Sequence, residues 1–290
     1  MLEEYADFCY RLVGSYSLYL VDYFQSLRPK LSKADVEITL PEYISVIVFS
    51  GAATFLSLTL FLGFLLTLSM GISGIVMGFT IGMISSLGVM AGFYAYPGII
   101  MKSRASKIRD TLPFATMYLS TLAGTGTALP EIFKNLAEVE EYGEVANEAE
   151  KISRDIETFG MDINEALERA ANRTPSEDFK ELMWGINHVI TTGGSLREFL
   201  QQRSEKLMDD YQRRIEEFSE TLSLLVEMYI TLIIVGSIIF TAMSAVISSF
   251  ANISPALLVN IQVAAIFFGL PVISGMFIIL VDGLSPGGIR

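Results

Sequence analysis

The chain is 290 residues long, with 51% apolar residues, 18% charged residues and a formal net charge of −12. A charged share this far below the roughly 25% of soluble domains excludes an ordinary soluble protein. The acidic balance also argues against nucleic acid as a partner, because phosphate backbones attract basic surfaces. We therefore expect an integral membrane protein that binds no nucleic acid.

Residues 1–41 mix apolar and charged side chains, and we predict a cytoplasmic helical segment there. They do not predict a cleavable signal peptide, because the apolar sequence that follows begins too late and runs too long. The single cysteine, Cys9, excludes a disulfide within the chain. Two roles are open for this segment: a helix pair at the membrane interface, or a helix pair that contacts a partner.

Two long runs without Asp, Glu, Lys or Arg dominate the rest of the sequence. The first lies between Glu42 and Lys102, and the second lies between Glu227 and Asp282. A membrane-spanning helix needs about 20 apolar residues, so each run can hold two crossings joined by a tight turn. We therefore predict two transmembrane hairpins, over residues 42–100 and 222–282. Their crossings are predicted at residues 43–68, 74–97, 223–247 and 255–281.

The distribution of Lys and Arg sets the predicted orientation. Basic residues precede the first crossing, follow the second and precede the third, whereas the turns inside the hairpins carry no charge. Because basic residues near crossings stay in the cytoplasm, we expect both termini to be cytoplasmic. The predicted fold is an all-α integral membrane protein, in which two transmembrane helical hairpins flank a cytoplasmic antiparallel helical bundle at residues 101–221. A cytoplasmic tail is expected at residues 283–290.

The central segment repeats one short phrase. GTALPEIF, GMDINEAL and GGSLREFL each fit the pattern Gly-x-x-[Leu/Ile]-x-Glu. A glycine often ends a helix, and a capping residue with a glutamate three positions later starts the next one. Asp162 with Glu165 and Ser195 with Glu198 have this spacing. The segment therefore predicts five or six helices.

Two more helices are marked in the same part of the chain. Thr174 is predicted to cap a helix that has Pro175 at its first position. Apolar residues then recur every three or four positions from Leu207 to Tyr229. That period predicts one long helix with a single apolar face, running from the bundle into the third crossing.

Motifs of catalysis and cofactor binding are missing from the sequence. It contains no P-loop, no His-Glu-x-x-His and no Cys-x-x-Cys, and its one histidine, His188, has no nucleophile motif beside it. The glutamates at 138–150 are interpreted as a solvated helix face rather than as paired catalytic acids. We therefore expect no catalytic, cofactor-binding or metal residues and no enzyme activity.

The two charge-free runs argue against a function in ion or proton transport. Ion and proton carriers usually place acids, bases or histidines at membrane depth, and neither run contains one. A multi-span carrier or channel for an uncharged solute stays as the alternative function.

Three stretches of the central segment carry a family resemblance. They are TLPFATMYLSTLAGTGTALPEIFKNLA, IETFGMDINEALERAANRTPSEDF and GINHVITTGGSLREFLQQRSE, in this order. Over about residues 111–247 the chain resembles the F-protein domain of type II secretion systems, which also occurs in type IV pilus, tight-adherence and archaellum platforms. One copy of the domain is visible, so the chain looks closest to the single-domain branch. The family motif and turn positions are Pro113, Gly124, Gly126, Gly160, Glu165, Pro175, Gly193 and Gly194.

The resemblance implies a non-enzymatic platform in the cytoplasmic membrane of a prokaryote. Such a platform couples a cytoplasmic hexameric ATPase to the insertion or extraction of pilin-like subunits. The implied partners are the secretion or pilus ATPase, the pilin-like subunits, a second copy or a sister platform protein, and the lipid bilayer. We expect the ATPase-facing surface to be drawn from Arg104, Lys107, Arg109, Glu138, Glu141 and Glu144.

Overall fold

The computed structural model describes residues 2–36, 38–250 and 255–284, and every regular element in these residues is helical. This confirms the predicted all-α class. The chain divides into two compact units, residues 1–201 and 202–290. Within the described residues, four helices are long and apolar enough to cross a membrane: Leu40–Thr67, Ser73–Gly124, Leu196–Ile247 and Gln262–Leu284.

The first unit begins with a long helix, α1 (Leu2–Leu20), a 3-10 turn (Gln25–Leu27) and a short helix, α2 (Arg28–Lys33). Helix α1 packs along the start of the next helix, α3 (Leu40–Met70). Because apolar side chains from both sides leave the water together, the N-terminal segment is part of the same core as the first apolar helix. The buried members of this cluster are Ala6, Cys9, Leu27, Leu31, Ile38, Tyr43, Val46 and Ile47.

Helix α3 and its successor, α4 (Ile72–Gly124), form an antiparallel hairpin. A capping box starts α3, in which the Thr39 backbone N–H donates to Glu42 Oε2 at 2.9 Å. Small residues let the two backbones approach closely, as is common between helices in lipid. A Cβ added at Gly78 would lie 2.6 Å from the Gly63 Cα, and one at Gly74 would overlap the Leu66 backbone.

Helix α4 continues for 53 residues from this hairpin into the bundle, with Pro97 and Pro113 inside it. The second crossing is predicted to end at Pro97, but the helix itself does not end there. The family resemblance implies that Pro113 opens the first helix of the bundle, and this is wrong, because Pro113 lies inside the same helix. A proline inside a helix frees the carbonyl four residues before it. At Pro97 the freed carbonyl is that of Phe93, which accepts a hydrogen bond from the Tyr43 hydroxyl at 2.6 Å. The helix therefore crosses Pro97 without an unsatisfied carbonyl there.

Four shorter helices pack around the C-terminal half of α4. They are α5 (Leu129–Ala137), α6 (Glu144–Glu157), α7 (Ile163–Arg173) and α8 (Glu177–Thr192). With the ends of α4 and the following helix, residues 101–221 contain six helical segments, as predicted. Their largest fully buried side chains include Leu112, Leu119, Phe133, Ile152, Leu167, Phe179 and Leu182.

The helix starts follow the predicted caps in two cases. Asp162 Oδ1 accepts from the Asn164 N–H at 3.3 Å, and Ser195 Oγ accepts from the Glu198 N–H at 3.3 Å. The predicted cap at Thr174 is wrong, because α8 begins at Glu177 and its cap is Ser176. Thr174 instead ends α7 in an extended conformation.

The predicted long helix is confirmed as α9 (Leu196–Phe250), which has no interruption. In the second unit α9 is followed by α10 (Pro255–Ala264), a π-helical turn (Ala265–Gly269) and α11 (Leu270–Leu284). The Tyr229 ring stacks on Phe277 with centroids 4.5 Å apart, and its hydroxyl lies 2.7 Å from Ser274 Oγ. Residues 285–290 of the predicted tail lie outside the described residues.

Candidate functional site

A fully buried carboxylate on α6 holds two arginines from neighbouring helices. Arg104 Nη2 on α4 donates to Glu148 Oε1 at 3.0 Å, and Arg173 Nε on α7 donates to Glu148 Oε2 at 3.0 Å. Arg104 Nε also donates to Glu144 Oε2 at 2.9 Å. Glu148 is 0% exposed and Arg104 is 6% exposed. A buried charge is stable only when paired in this way, so these contacts fix the three helices against one another.

The ion pairs continue on both sides of Glu148. Asp155, two turns further along α6, lies 3.4 Å from Arg173 Nη1. Lys151 Nζ lies 3.6 Å from Glu148 Oε1 and also donates to Asp35, which precedes α3. We call the whole set the Glu148 cluster: Asp35, Arg104, Glu144, Glu148, Lys151, Asp155 and Arg173.

The Glu148 cluster joins the bundle to α4, the second leg of the first hairpin, and to the segment that precedes the first leg. Arg104 lies on α4, beyond the apolar part of the second leg. Its Nη1 donates to the Lys33 carbonyl at 3.0 Å, and its Nη2 lies 3.6 Å from Asp35 Oδ2, both in the segment before the first leg. A movement of α6 relative to the hairpin therefore has to break buried ion pairs.

The glutamates at 138–150 are predicted to form a solvated helix face, and for Glu148 that prediction is wrong. A signal was present, because Glu148 lies on the apolar stripe of α6 with Val145, Ala149 and Ile152, all of which are buried. An acid at a stripe position predicts a buried partner of opposite charge. Glu150, on the other face of the same helix, is exposed as expected.

Asp35 makes folding sensitive to acid. Burial raises the pKa of Asp35, but the hydrogen bond and charge of Lys151, with the charge of Arg104, outweigh it and leave the pKa below its ordinary value of 3.8. Because the folded-state pKa is depressed, Asp35 stabilises the fold above the pKa of the unfolded chain. That contribution is lost as the pH falls through the folded-state pKa.

We expect the stability difference between the wild type and an Asp35→Asn variant to be largest near neutral pH and to shrink as the pH drops below about 4. Unfolding midpoints of the full chain in mild detergent, measured across pH, check this. An Asp209→Asn variant, at an exposed position of α9, serves as control and should show no such trend. A difference between the wild type and Asp35→Asn that does not change with pH would contradict the assignment.

Of the six expected partner contacts, Arg104 and Glu144 pair with each other inside the chain, with side chains 7% and 21% exposed. Lys107 and Arg109 are exposed on α4, and Arg109 Nε lies 3.5 Å from Asp178 Oδ2 of α8. These two basic residues remain accessible to another molecule.

The acidic members of the expected surface lie in the connection between α5 and α6. Glu138 and Glu141 are exposed there, and a 3-10 turn (Glu140–Tyr142) covers most of the connection. Thr111 Oγ1 of α4 lies 3.3 Å from the Tyr142 carbonyl, so this turn lies beside the part of α4 that follows Lys107. We call the exposed glutamates 138, 140 and 141 the acidic turn.

The motif glycines lie in turns between helices. Gly126, Gly160 and Gly193 all have positive φ, at 78°, 66° and 74°. At Gly193 the left-handed conformation ends α8, and the next N–H, of Gly194, donates to the Val189 carbonyl at 2.9 Å. Of the other motif positions, Gly124 ends α4, Glu165 lies in the first turn of α7, Pro175 lies between α7 and α8, and Pro113 lies inside α4.

Sequence reasoning missed one close contact in this region. Gly185 of α8 faces the Phe199 ring of α9 so closely that a Cβ at Gly185 would overlap it. His188 is exposed near the end of α8. In the part of the chain that the structure describes, no three His, Cys, Asp or Glu side chains are grouped to hold a metal ion.

The comparisons with known proteins point to one family. A family described as "Type II secretion system (T2SS), protein F" matches residues 115–244, which cover the end of α4, the four short helices and most of α9. This agrees with the range over which the sequence resembles that domain. No solved structure is significantly similar to the chain.

Curated relatives come from methanogenic archaea. An uncharacterized protein of Methanocaldococcus jannaschii is 28% identical over 203 residues, 66% of this chain and 33% of the relative. The "Flagella accessory protein J" of the same organism is 29% identical over 191 residues, 66% and 33% of the two chains. The protein of that name in Methanococcus voltae is 28% identical over 163 residues, 56% and 29% of the two chains.

These matches span about a third of the length of each relative. This is a membrane protein with several candidate spans. Residues 115–244 of the chain match the type II secretion system protein F family.

Proposed function

We propose that the chain is a membrane platform of a pilus-like or archaellum-like assembly machine. In this role it couples a cytoplasmic hexameric ATPase to the insertion or extraction of pilin-like subunits. The observation that carries the proposal is the protein F family match over residues 115–244. The names of two relatives, "Flagella accessory protein J", favour the archaellum branch.

The helices supply a physical route for such coupling. α4 runs from the apolar hairpin into the bundle as one helix, and α9 runs as one helix from the bundle into the third apolar segment. The Glu148 cluster ties α6 and α7 to α4 and to the segment that precedes α3. In the proposed mechanism, a push on the bundle is carried along these helices rather than absorbed in a flexible linker.

The proposed orientation follows the basic residues that border the apolar segments. It places the bundle and both termini in the cytoplasm, where an ATPase can reach the bundle. The bundle is taken as residues 101–221 and the transmembrane hairpins as residues 42–100 and 222–282. The platform itself is proposed to be non-enzymatic and to pair with a second copy or a sister platform protein.

We propose that the ATPase contacts the acidic turn together with Lys107 and Arg109. Both surfaces are exposed, and the turn lies beside α4. Charges at the rim of an interface mainly set the association rate and the specificity of binding. Charge reversal on either surface should therefore weaken the complex without unfolding the platform.

The test uses the full chain in lipid nanodiscs and the secretion or archaellum ATPase encoded in the same genome. We expect saturable binding to the wild type. The affinity should fall by about tenfold in a Glu138→Lys, Glu141→Lys double variant, because reversed charges at the rim of an interface oppose association. A matched control is Glu168→Lys, an exposed glutamate of α7, which should bind like the wild type. The hydrolysis rate of the ATPase with and without the platform is measured in the same samples.

A folded platform that binds no ATPase would contradict the proposal. Solute flux into liposomes that contain the chain alone would instead favour the carrier or channel alternative. Binding that survives charge reversal at the acidic turn, and also at Lys107 and Arg109, would keep the function and overturn the proposed surface.

A further inference from the structure

Helix α1 carries a stripe of large apolar and aromatic side chains that remain exposed. Leu12 is 59% exposed, Tyr19 is 83% exposed, and Tyr23 in the following turn is 84% exposed. Tyr5 and Phe8 continue the stripe at 38% and 53% exposure. The four residues of the stripe on α1, at positions 5, 8, 12 and 19, are spaced 3, 4 and 7 positions apart, which keeps them on one side of the helix.

The other two sides of α1 are a side buried against protein and a polar side. Ala6, Cys9 and Ser17 are buried in the core that α1 shares with α3. Asp7 and Arg11 lie on a polar side and pair with each other at 2.9 Å, with side chains 59% and 77% exposed. α1 therefore has one face on protein, one polar face and one apolar face whose side chains stay largely exposed, Leu12 and Tyr19 most of all.

The apolar face continues into surfaces that belong to the membrane-spanning helices. The Phe8 and Tyr5 rings meet Phe49 of α3 edge-on, with ring centroids 5.9 and 6.3 Å apart. Phe49 lies within the first candidate span, Leu40–Thr67. The stripe at this end of α1 is thus continuous with the side of an apolar helix that a bilayer would cover.

At its other end the stripe meets an aromatic group on α4. Phe24, next to Tyr23, packs edge-on against Tyr94 at 6.0 Å, and Lys30 lies 5.7 Å above the Tyr94 ring. Tyr94 and Tyr96, which are 41% and 43% exposed, lie close to Pro97 of α4. Tyrosines that combine an apolar ring with a polar tip collect at the boundary between lipid and water.

We propose that α1 is an interfacial helix that inserts its Tyr5–Tyr23 stripe into the lipid bilayer beside the first hairpin. In this proposal the stripe contacts the acyl chains and headgroups of lipids, not a second protein. The Asp7–Arg11 face points to water, and the Ala6–Cys9 face holds the helix against α3. Amphipathic helices at the membrane interface bury their apolar face about 5–10 Å deep, at the boundary between headgroups and acyl chains. This inference is independent of the ATPase coupling.

The test places single tryptophans in the full chain and measures how strongly lipids brominated on their acyl chains quench them in liposomes. The one native tryptophan is removed by Trp184→Phe. The stripe is probed by Leu12→Trp and Tyr19→Trp, and the polar face of the same helix by Arg11→Trp. Leu60→Trp, at a 68% exposed position in the middle of α3, reports acyl contact, and Lys107→Trp reports water.

We expect Leu12→Trp and Tyr19→Trp to be quenched about threefold more strongly than Arg11→Trp, and less strongly than Leu60→Trp, as a shallow interfacial position requires. Quenching at residues 12 and 19 no stronger than at Lys107→Trp would overturn the proposal. Equal quenching at residues 11 and 12 would also overturn it, because the stripe would then not be the membrane face. Circular dichroism and gel filtration select the variants that keep the fold, and the aromatic change Tyr19→Trp is the mildest of them.

Discussion

We expect a Glu148→Leu variant to lose about 3–5 kcal/mol of unfolding free energy, because removing one partner of a buried pair strands the other charges. In this variant the buried Arg104 and the half-buried Arg173 would each lose the carboxylate that they now meet at 3.0 Å. A Glu148→Gln variant keeps the shape but not the charge, so it should be destabilised too, though less. Denaturant unfolding in mild detergent, followed by helical circular dichroism, measures both.

The matched control is Glu150→Leu, two positions further along the same helix. Glu150 is exposed, so its loss should change the unfolding free energy by no more than about 0.5 kcal/mol. If Glu148→Leu were as stable as this control, the Glu148 cluster would not hold the bundle to the hairpin. A triple variant that adds Arg104→Met and Arg173→Met should recover only part of the lost stability, because it removes the two stranded arginines but takes Arg173 away from the buried Asp155.

A second large loss of stability is expected from a substitution within the first hairpin. A Gly78→Leu variant should separate α3 from α4, because its Cβ would lie 2.6 Å from both the Gly63 Cα and its backbone nitrogen. A backbone atom cannot rotate away as a side chain can, so the helices must move apart. We expect a loss of about 1–3 kcal/mol or more, the usual cost of overpacking.

Gly88→Leu is the control for this substitution. Gly88 lies on the same helix and within the same apolar run, but an added Cβ there meets nothing within 4 Å. It should leave the unfolding midpoint of the full chain in detergent unchanged. Cysteines placed at residues 59 and 82, which face each other across the hairpin, should crosslink in Gly88→Leu but not in Gly78→Leu. Equal crosslinking in both would show that the hairpin tolerates the larger side chain.

Much of the fold follows from patterns that are local in sequence. The charge-free runs on either side of the central segment predicted the four apolar helices, because lipid selects length and hydropathy directly. The caps at Asp162 and Ser195 were predictable for a similar reason, since a cap and its donor are only two or three residues apart. The family match over residues 115–244 also follows from these local phrases in order.

Apart from the misplaced cap at Thr174, the features that were not predicted depend on contacts between residues far apart in sequence. Pro97 signals a helix end on local grounds, and what overrides it is the Tyr43 hydroxyl, which belongs to another helix. Glu148 looks solvated in a run of acids, and what buries it are Arg104 and Arg173. The link from Asp35 to Lys151 likewise joins segments that no sequence period connects.

The bond from the Tyr43 hydroxyl to the Phe93 carbonyl has a mechanical consequence. A proline usually kinks a helix and leaves the carbonyl four residues before it without its helical donor. Here that carbonyl accepts its hydrogen bond from α3, so α4 is braced against the neighbouring helix beside Pro97. A change in the bend of α4 at Pro97 would have to stretch or break this bond, so motion at that point would be shared with α3 rather than confined to α4.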